Sequence, residues 1–345
     1  MRTLRLLATS VMLSSLLGLA ACGGGGGYGG GGGGMPTGAA GSKLFAADST
    51  DRVVGSLANP DPPTGSLTVD RIIGPQPGAY PYNYAGFTTN IGSLALDATR
   101  DYLYVGNGTS ILVFHGASMA NGDLFTNATI GPIGNTGSMF LDAAHDRLYV
   151  GDDNVDVKVF SGVSTSTGAT TPTPRHITGM TLPIHGVAVD TTNNILYVSN
   201  ENSTTHQISV FDNADTVTVA APNRTITPTV SNVNQSVGGI FLDAASDILY
   251  VAGGSSSPQV MVFSGASSAN DVSGATTPGK ILTLFPSGIL KVVVDTTHDR
   301  LYAVGSNGHI YLVENVSTLP PGAVTAKDAS LSNGGMLTAV AVNPN

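Results

Sequence analysis

At 345 residues the chain has room for one large domain or two ordinary ones, and with 41% hydrophobic residues it can bury a sizeable core. Charged residues make up only 11%, Trp is absent, and the formal net charge of −9 falls by two more if a leader carrying Arg2 and Arg5 is removed. An acidic surface with no basic stripe argues against nucleic acid, a lone cysteine rules out an intramolecular disulfide, and 45 glycines with 19 prolines point to a turn-rich all-β fold.

The chain opens with Met1-Arg2-Thr3-Leu4-Arg5 and then a mostly apolar run from Leu6 to Ala21. A positive start followed by a short apolar run is an export signal, and the run falls short of the roughly 20 residues a membrane span needs. Leu19-Ala20-Ala21-Cys22 resembles the lipobox of bacterial lipoproteins. That resemblance implies cleavage before Cys22, lipidation of Cys22 and a membrane anchor of several acyl chains. Residues 1–21 are therefore expected to be a lipoprotein signal peptide. Gly23 rather than Asp follows the cysteine, which by the same resemblance implies the outer membrane of a Gram-negative envelope. The alternative is an ordinary cleaved leader with an incidental cysteine. Residues 22–42, nearly pure glycine from Gly23 to Gly34, read as a flexible tether. A phosphate-binding loop would need a following helix and a lysine, and neither is present.

Residues 43–345 carry a repeat. Leu96-Asp97 precedes Leu103-Tyr104-Val105, and the same spacing recurs from Asp142 to Leu148-Tyr149-Val150, Asp190 to Leu196-Tyr197-Val198, Asp243 to Leu249-Tyr250-Val251 and Asp295 to Leu301-Tyr302-Ala303. Successive aspartates lie 45 to 53 residues apart, a length that suits a four-stranded antiparallel blade. Strand A is the apolar run before the aspartate, and strand B the Leu-Tyr-Val segment. Strand C usually ends in Phe (Phe114, Phe160, Phe211, Phe263), and strand D is a short polar edge such as Arg224–Thr227. Consecutive apolar positions in A and B fit sheets covered on both faces.

The two ends of this region complete one more blade. Leu44-Phe45-Ala46 matches strand B, Val53-Val54 strand C and Arg71-Ile72-Ile73 strand D, while Leu337–Val342 is a strand A with no following B. The expected fold is a six-bladed β-propeller whose first blade is closed by the C-terminal strand, with Leu337, Val340 and Val342 in its core. The aspartate after strand A paired with Tyr-Val in strand B resembles the NHL-repeat type of propeller. The turn between them departs from that pattern by carrying Asp or Asn where NHL repeats usually have Gly.

Candidate sites are few. The repeated aspartates fall one per blade in A–B turns, where Asp stabilises its own turn. A second set, Asp48, Asn107, Asp152 and Asn200, is expected to start B–C turns in the same way. Asp152, Asp153 and Asp156 form the densest acidic cluster and are weak metal candidates, with spacing unlike an EF-hand. His185 lies just before strand A, near the expected channel mouth. Tyr80, Tyr82, Tyr84 and Phe87 lie in the aromatic-rich loop of the chain, where rings supply contact area at low entropic cost. A lid packed over its own blade is the plainer reading of that loop.

No catalytic constellation and no cofactor is expected. The channel-end positions are Gly92-Ser93, Gly137-Ser138, His185-Gly186, Gly238-Gly239, Ser287-Gly288 and Gly334-Gly335, and they lack the carboxylates a lactonase-like, calcium-dependent hydrolase would present there. The expected function is a membrane-anchored, non-catalytic binding or assembly platform for a protein or carbohydrate ligand, with the hydrolase as its alternative.

Overall fold

A computed structural model describes residues 43–343, apart from 58–64, 68, 75–85, 88–90, 153–154, 171, 219–220, 232, 270–275, 284 and 332–334. Among the described residues the main sheets are six, each built on an antiparallel A-B-C-D order. Blade 1 is Leu337–Asn343, Lys43–Asp48, Val53–Leu57 and Arg71–Ile73. Blade 2 is Ile91–Asp97, Tyr102–Asn107, Ser110–His115 and Ala128–Ile130. Blade 3 is Thr136–Asp142, Arg147–Asp152, Asp156–Ser161 and Arg175–Ile177. Blade 4 is Ile184–Asp190, Ile195–Glu201, His206–Asp212 and Arg224–Ile226. Blade 5 is Ile240–Asp243, Ile248–Ala252, Val260–Ser264 and Lys280–Thr283. Blade 6 is Ile289–Asp295, Arg300–Gly305, Ile310–Glu314 and Lys327–Leu331.

The continuous apolar runs of strand B are explained by what covers them. Leu103, Tyr104 and Val105 are all fully buried. Leu103 and Val105 pack toward Phe45, Ala47 and Val54 of blade 1, whereas Tyr104 packs toward Leu148, Val150 and Phe160 of blade 3. Alternate side chains of one strand thus serve two inter-blade cores, and such a strand has no wet face. The same division runs round the ring to blade 6, where Tyr302, Val304 and Leu312 meet Leu44, Ala46 and Leu57 of blade 1.

The ring closes as the sequence predicts. Leu337–Asn343 pairs with strand B of blade 1 from Lys43↔Asn343 to Ala47↔Ala339, with a bulge before Asp48↔Leu337. Leu337, Val340 and Val342 join the core as expected, though to different depths. Leu337, Ala339 and Ala341 are buried, while Val340 and Val342 are only half-buried. With a period of two, Ala339 and Ala341 face the core shared with blade 2, while Val340 and Val342 pack against the core shared with blade 6.

The outer edge differs from expectation. Strand D is not left bare, because the C–D connection of each following blade reaches back to hydrogen-bond it. Gly168–Thr170 runs parallel to Ala128–Ile130, Gly322–Ala323 to Leu282–Thr283, and Gly65–Leu67 to Ala329–Leu331. Single bridges join Ile73 to Gly122 and Pro228 to Thr276, and Thr178 N donates to Thr218 O at 2.8 Å. Side chains reinforce the belt. Arg71 donates to Ser118 O at 2.7 Å, Arg175 to Ala214 O at 2.7 Å and Arg224 to Ser267 O at 2.6 Å, while Lys280 reaches Val316 O at 3.1 Å. Each of these cations opens a strand D, and each carbonyl lies on the next blade. Covering an edge in this way removes the template for pairing with another chain.

Candidate functional site

The A–B turns use their aspartates structurally. Asp97 Oδ1 accepts from Thr99 N and Arg100 N at 3.0 Å, Asp190 Oδ1 from Thr192 N and Asn193 N at 2.9 Å, and Asp295 Oδ1 from Thr297 N and His298 N at 3.1 Å. The second oxygen takes the side chain three residues on: Arg100 at 2.7 Å, His145 at 2.8 Å, Asn193 at 2.7 Å and His298 at 2.9 Å. These are turns whose carboxylates are spent on local donors.

One further motif on this face is visible only once the fold is known. The residue four past each aspartate has a left-handed backbone: φ is 58° at Asp101, 53° at Asp146, 58° at Asn194, 54° at Asp247 and 53° at Asp299. Asp and Asn tolerate that conformation better than most residues. Each then grips the connection after strand C. Asp101 takes both the backbone and hydroxyl of Ser118, and Asp146, Asp247 and Asp299 take Ser164, Ser267 and Ser317 in the same way at 2.7 to 2.8 Å. The sequence signal is the recurring Phe-x-Gly-Ala/Val-Ser after strand C, as in Phe160–Ser164 and Phe263–Ser267.

The opposite face, formed by B–C turns and D–A connections, is irregular. Of the second polar set Asp48 makes the expected turn, accepting from Thr50 N at 2.8 Å and Asp51 N at 3.3 Å. Asn107 donates to Gly86 O at 3.0 Å, across to the connection leading into its blade. Asn200 is fully buried, with its amide nitrogen directed at Val198 O and Gln207 O at 3.1 and 3.2 Å. Asp152 is buried and ion-paired with Lys158 at 2.5 Å, and Lys158 also donates to Ile133 O. Gly134, at φ 87°, passes so close that a Cβ there would lie 2.1 Å from Asp152 Oδ2. Asp156 turns away to His176 Nδ1 at 2.6 Å. Among the described residues Asp152 and Asp156 thus take separate cationic or imidazole partners, and Asp153 lies outside the described residues. Among the described residues no group of three or more His, Cys, Asp or Glu could hold a metal ion.

Two cavities open near the channel. The smaller, about 140 Å³, is the channel itself, lined by strands A of all six blades. Five of those strands carry a one-residue bulge near their start, at Gly92, Gly137, His185, Leu290 and Thr338. A bulge breaks the ladder locally and re-aims groups that would otherwise pair. Lys291, next to one bulge, sends Nζ across the channel to the bulge carbonyls Gly137 O at 2.7 Å and His185 O at 2.9 Å. The channel-end positions read from sequence were small and uncharged apart from one histidine, so this ammonium is a correction. Its signal was a lone Lys where the corresponding residues are Ser93, Ser138, Gly186 and Gly239.

The larger cavity, about 590 Å³, lies between blades 4 and 5 and includes His185 in its lining. Its centre is Glu201, at the end of strand B. Glu201 Oε2 accepts from His206 Nδ1, Ser236 Oγ and Val237 N, each at 2.8 Å. One wall is a small hairpin in the connection to blade 5, Thr229–Val230 paired with Val233–Asn234, and Gln259 Nε2 secures its base by donating to Gln235 Oε1 at 2.8 Å. The facing wall is Ser255–Ser257 of the next B–C turn. Asn234 Oδ1 is buried here with no hydrogen-bond partner. The hairpin had a sequence signal too, since Asp190 to Asp243 is the longest of the repeat periods.

Of the other candidates, Cys22, Tyr80, Tyr82 and Tyr84 lie outside the described residues. Phe87 is fully buried against Phe114, with ring centroids 5.7 Å apart, so it belongs to the core between blades and offers no surface to a ligand. The strand-B tyrosines are likewise structural. Burial pushes the phenols of Tyr104, Tyr149 and Tyr197 up, and that of Tyr250 up to about 12.

No family model matches this sequence, and no curated protein matches it. Solved structures do. A chain of the crystal structure of a nidogen/laminin complex superposes with a TM-score of 0.58 at 14% identity, over 88% of this chain and 98% of that one. The WD40 β-propeller domain of Doa1 superposes with a TM-score of 0.54 at 12% identity, over 84% and 80%. At such identities the likeness speaks for architecture alone. The expected resemblance to NHL repeats thus stands at the level of the fold: the chain is a six-bladed β-propeller.

Proposed function

We propose that this chain is a non-catalytic binding platform: a propeller with NHL-like repeats, held to an envelope membrane through Cys22, that takes its ligand at the face carrying the B–C turns. The observation that carries the reading is the pocket between blades 4 and 5. It falls within the size range of small-ligand sites. Its central carboxylate is held by three donors, so it is preorganised rather than collapsed. The carboxylates of the A–B turns, by contrast, are committed to turn backbone and neighbouring side chains.

The binding half is tested with a photo-crosslinking residue at Ser203 or Ser256, both exposed at the pocket rim, and at Thr191 on the opposite face. In intact envelopes, adducts should form from the rim positions and not from Thr191. Equal labelling from both faces would overturn the assignment. The anchor is tested by Cys22→Ser, which should abolish metabolic lipid labelling and release the protein from the membrane fraction. Stoichiometric calcium whose removal abolishes lactone turnover would replace the platform with a hydrolase.

A further inference from the structure

We propose that the pocket between blades 4 and 5 is a saccharide site, its ligand held by hydrogen bonds to the sugar hydroxyls. The inference rests on the platform reading above and adds the chemical class of the ligand.

The lining narrows that class by elimination. Every lining residue is polar. An apolar ligand would strip water from these groups and return no hydrogen bonds. Phosphate and sulfate groups are disfavoured as well, because the lining contains no Lys or Arg and presents the carboxylate of Glu201. A cationic side chain would find one carboxylate, and its Oε2 already accepts from three donors at 2.8 Å.

What the walls do present is a close alternation of donors and acceptors. Asn234 Oδ1 only accepts, Glu201 only accepts, and the hydroxyls of Ser255, Ser256 and Ser257 both donate and accept. A ligand hydroxyl is the complement to such a wall, since it too donates and accepts from one atom. Several hydroxyls on one rigid ring match several such groups at once, with little rotational entropy to lose.

Asn234 Oδ1 sharpens the argument. It is buried and unpartnered while its hairpin is fixed from both sides, by Gln235 N donating to Pro228 O at 2.8 Å and by the Gln259–Gln235 amide pair. A turn of the Asn234 side chain toward the cavity would give this acceptor a ligand donor, which its own surroundings do not supply. No Phe, Tyr or Trp lines this pocket, so the sugar is gripped mainly through its hydroxyl edges.

The test uses the full chain in detergent micelles on an array of defined neutral and acidic oligosaccharides, with hits remeasured by calorimetry. Neutral oligosaccharides should bind. Glu201→Gln and Asn234→Leu should each weaken binding at least tenfold, whereas His309→Ala, on blade 6, should leave it unchanged. If either pocket variant melts early, Ser256→Trp provides the second route. It fills the cavity from an exposed rim position without touching the Glu201 hydrogen bonds, and it should abolish binding. A blank array at millimolar sugar, or saccharide binding that survives Ser256→Trp, overturns the proposal. A short cationic peptide that binds the wild type but not the Ser256→Trp variant, with the array blank, would sink the saccharide and leave the platform standing. Failure of both probes together with featureless crosslinking would sink the two readings at once.

Discussion

The two faces of the ring are made from the same strands and behave differently. On the face of the A–B turns, blade after blade repeats the same bonds: an aspartate closing its own turn, and a left-handed Asp or Asn gripping the connection after strand C. On the face of the B–C turns, equivalent positions hold Asp48, Asn107, Asp152 and Asn200, and the partners that each is seen to take differ. A residue repeated at every blade answers a demand that every blade shares, which is folding. A residue found at one blade answers a local demand, and in this molecule the local demands gather around the pocket and the channel mouth. Regularity marks the scaffold and departure marks the site.

The comparison can be broken most severely at the closure. Deleting Leu337–Asn343 removes the inner neighbour of Lys43–Asp48 and the packing of Leu337, Ala339 and Ala341. Leu337 alone is worth about 1.5–3 kcal/mol, and each backbone group left dry and unpaired costs about 1–3 kcal/mol. The melting temperature should fall by more than about 10 °C in calorimetry, or cooperative unfolding should be lost.

A repeated bond on the regular face comes next. Asp146→Ala strips the acceptor from both Ser164 N and Ser164 Oγ and puts alanine at φ 53°. The expected loss is about 2–4 kcal/mol by denaturant melts. Asp146→Asn should cost much less, because Asn194 already fills this role in blade 4.

On the irregular face, Lys291→Met leaves Gly137 O and His185 O without their ammonium and should cost about 1–2 kcal/mol by the same measurement. The smallest effect is confined to alkaline solution. The Tyr250 phenol is pushed up to about 12, above its unfolded value near 10, so the folded state holds its proton longer. That contribution is complete below about pH 10 and lost as the pH rises toward 12. Melts of Tyr250→Phe should decline less steeply than wild type across that window and match its slope below it.

Much of the scaffold was legible because it rests on side chains that recur at fixed spacing. Asp97, Tyr104 and Phe114 have counterparts a blade later in Asp142, Tyr149 and Phe160, and repetition separates them from chance. The outer belt was not legible, since it is made by backbone groups of connections such as Gly168–Thr170 that share no motif with Gly65–Leu67 or Gly322–Ala323. Lys291 was overlooked because a single charge in an apolar strand reads as an exception until the strand is known to line a channel. The pocket was half legible. His185 was placed correctly near the mouth, but the hairpin that walls it showed only as extra length in one repeat. Phe87 misled because aromatic density in a loop looks the same whether the ring faces solvent or fills a gap between blades.

The belt also bears on how the ring comes apart. The N-terminal and C-terminal stretches of the ring are joined at two radii, by Lys43–Asp48 against Leu337–Asn343 within blade 1 and by Gly65–Leu67 against Ala329–Leu331 of blade 6 outside. Both joints link distant stretches of chain, so both form slowly and late, after most local strands are in place. Once made, neither can separate by fraying while the other holds. Contacts that form after the folding transition state act on unfolding by nearly their full native-state stabilisation and leave the folding rate almost unchanged. Loss of the outer joint should therefore show mainly as a shorter unfolding half-life, with the folding rate nearly unchanged.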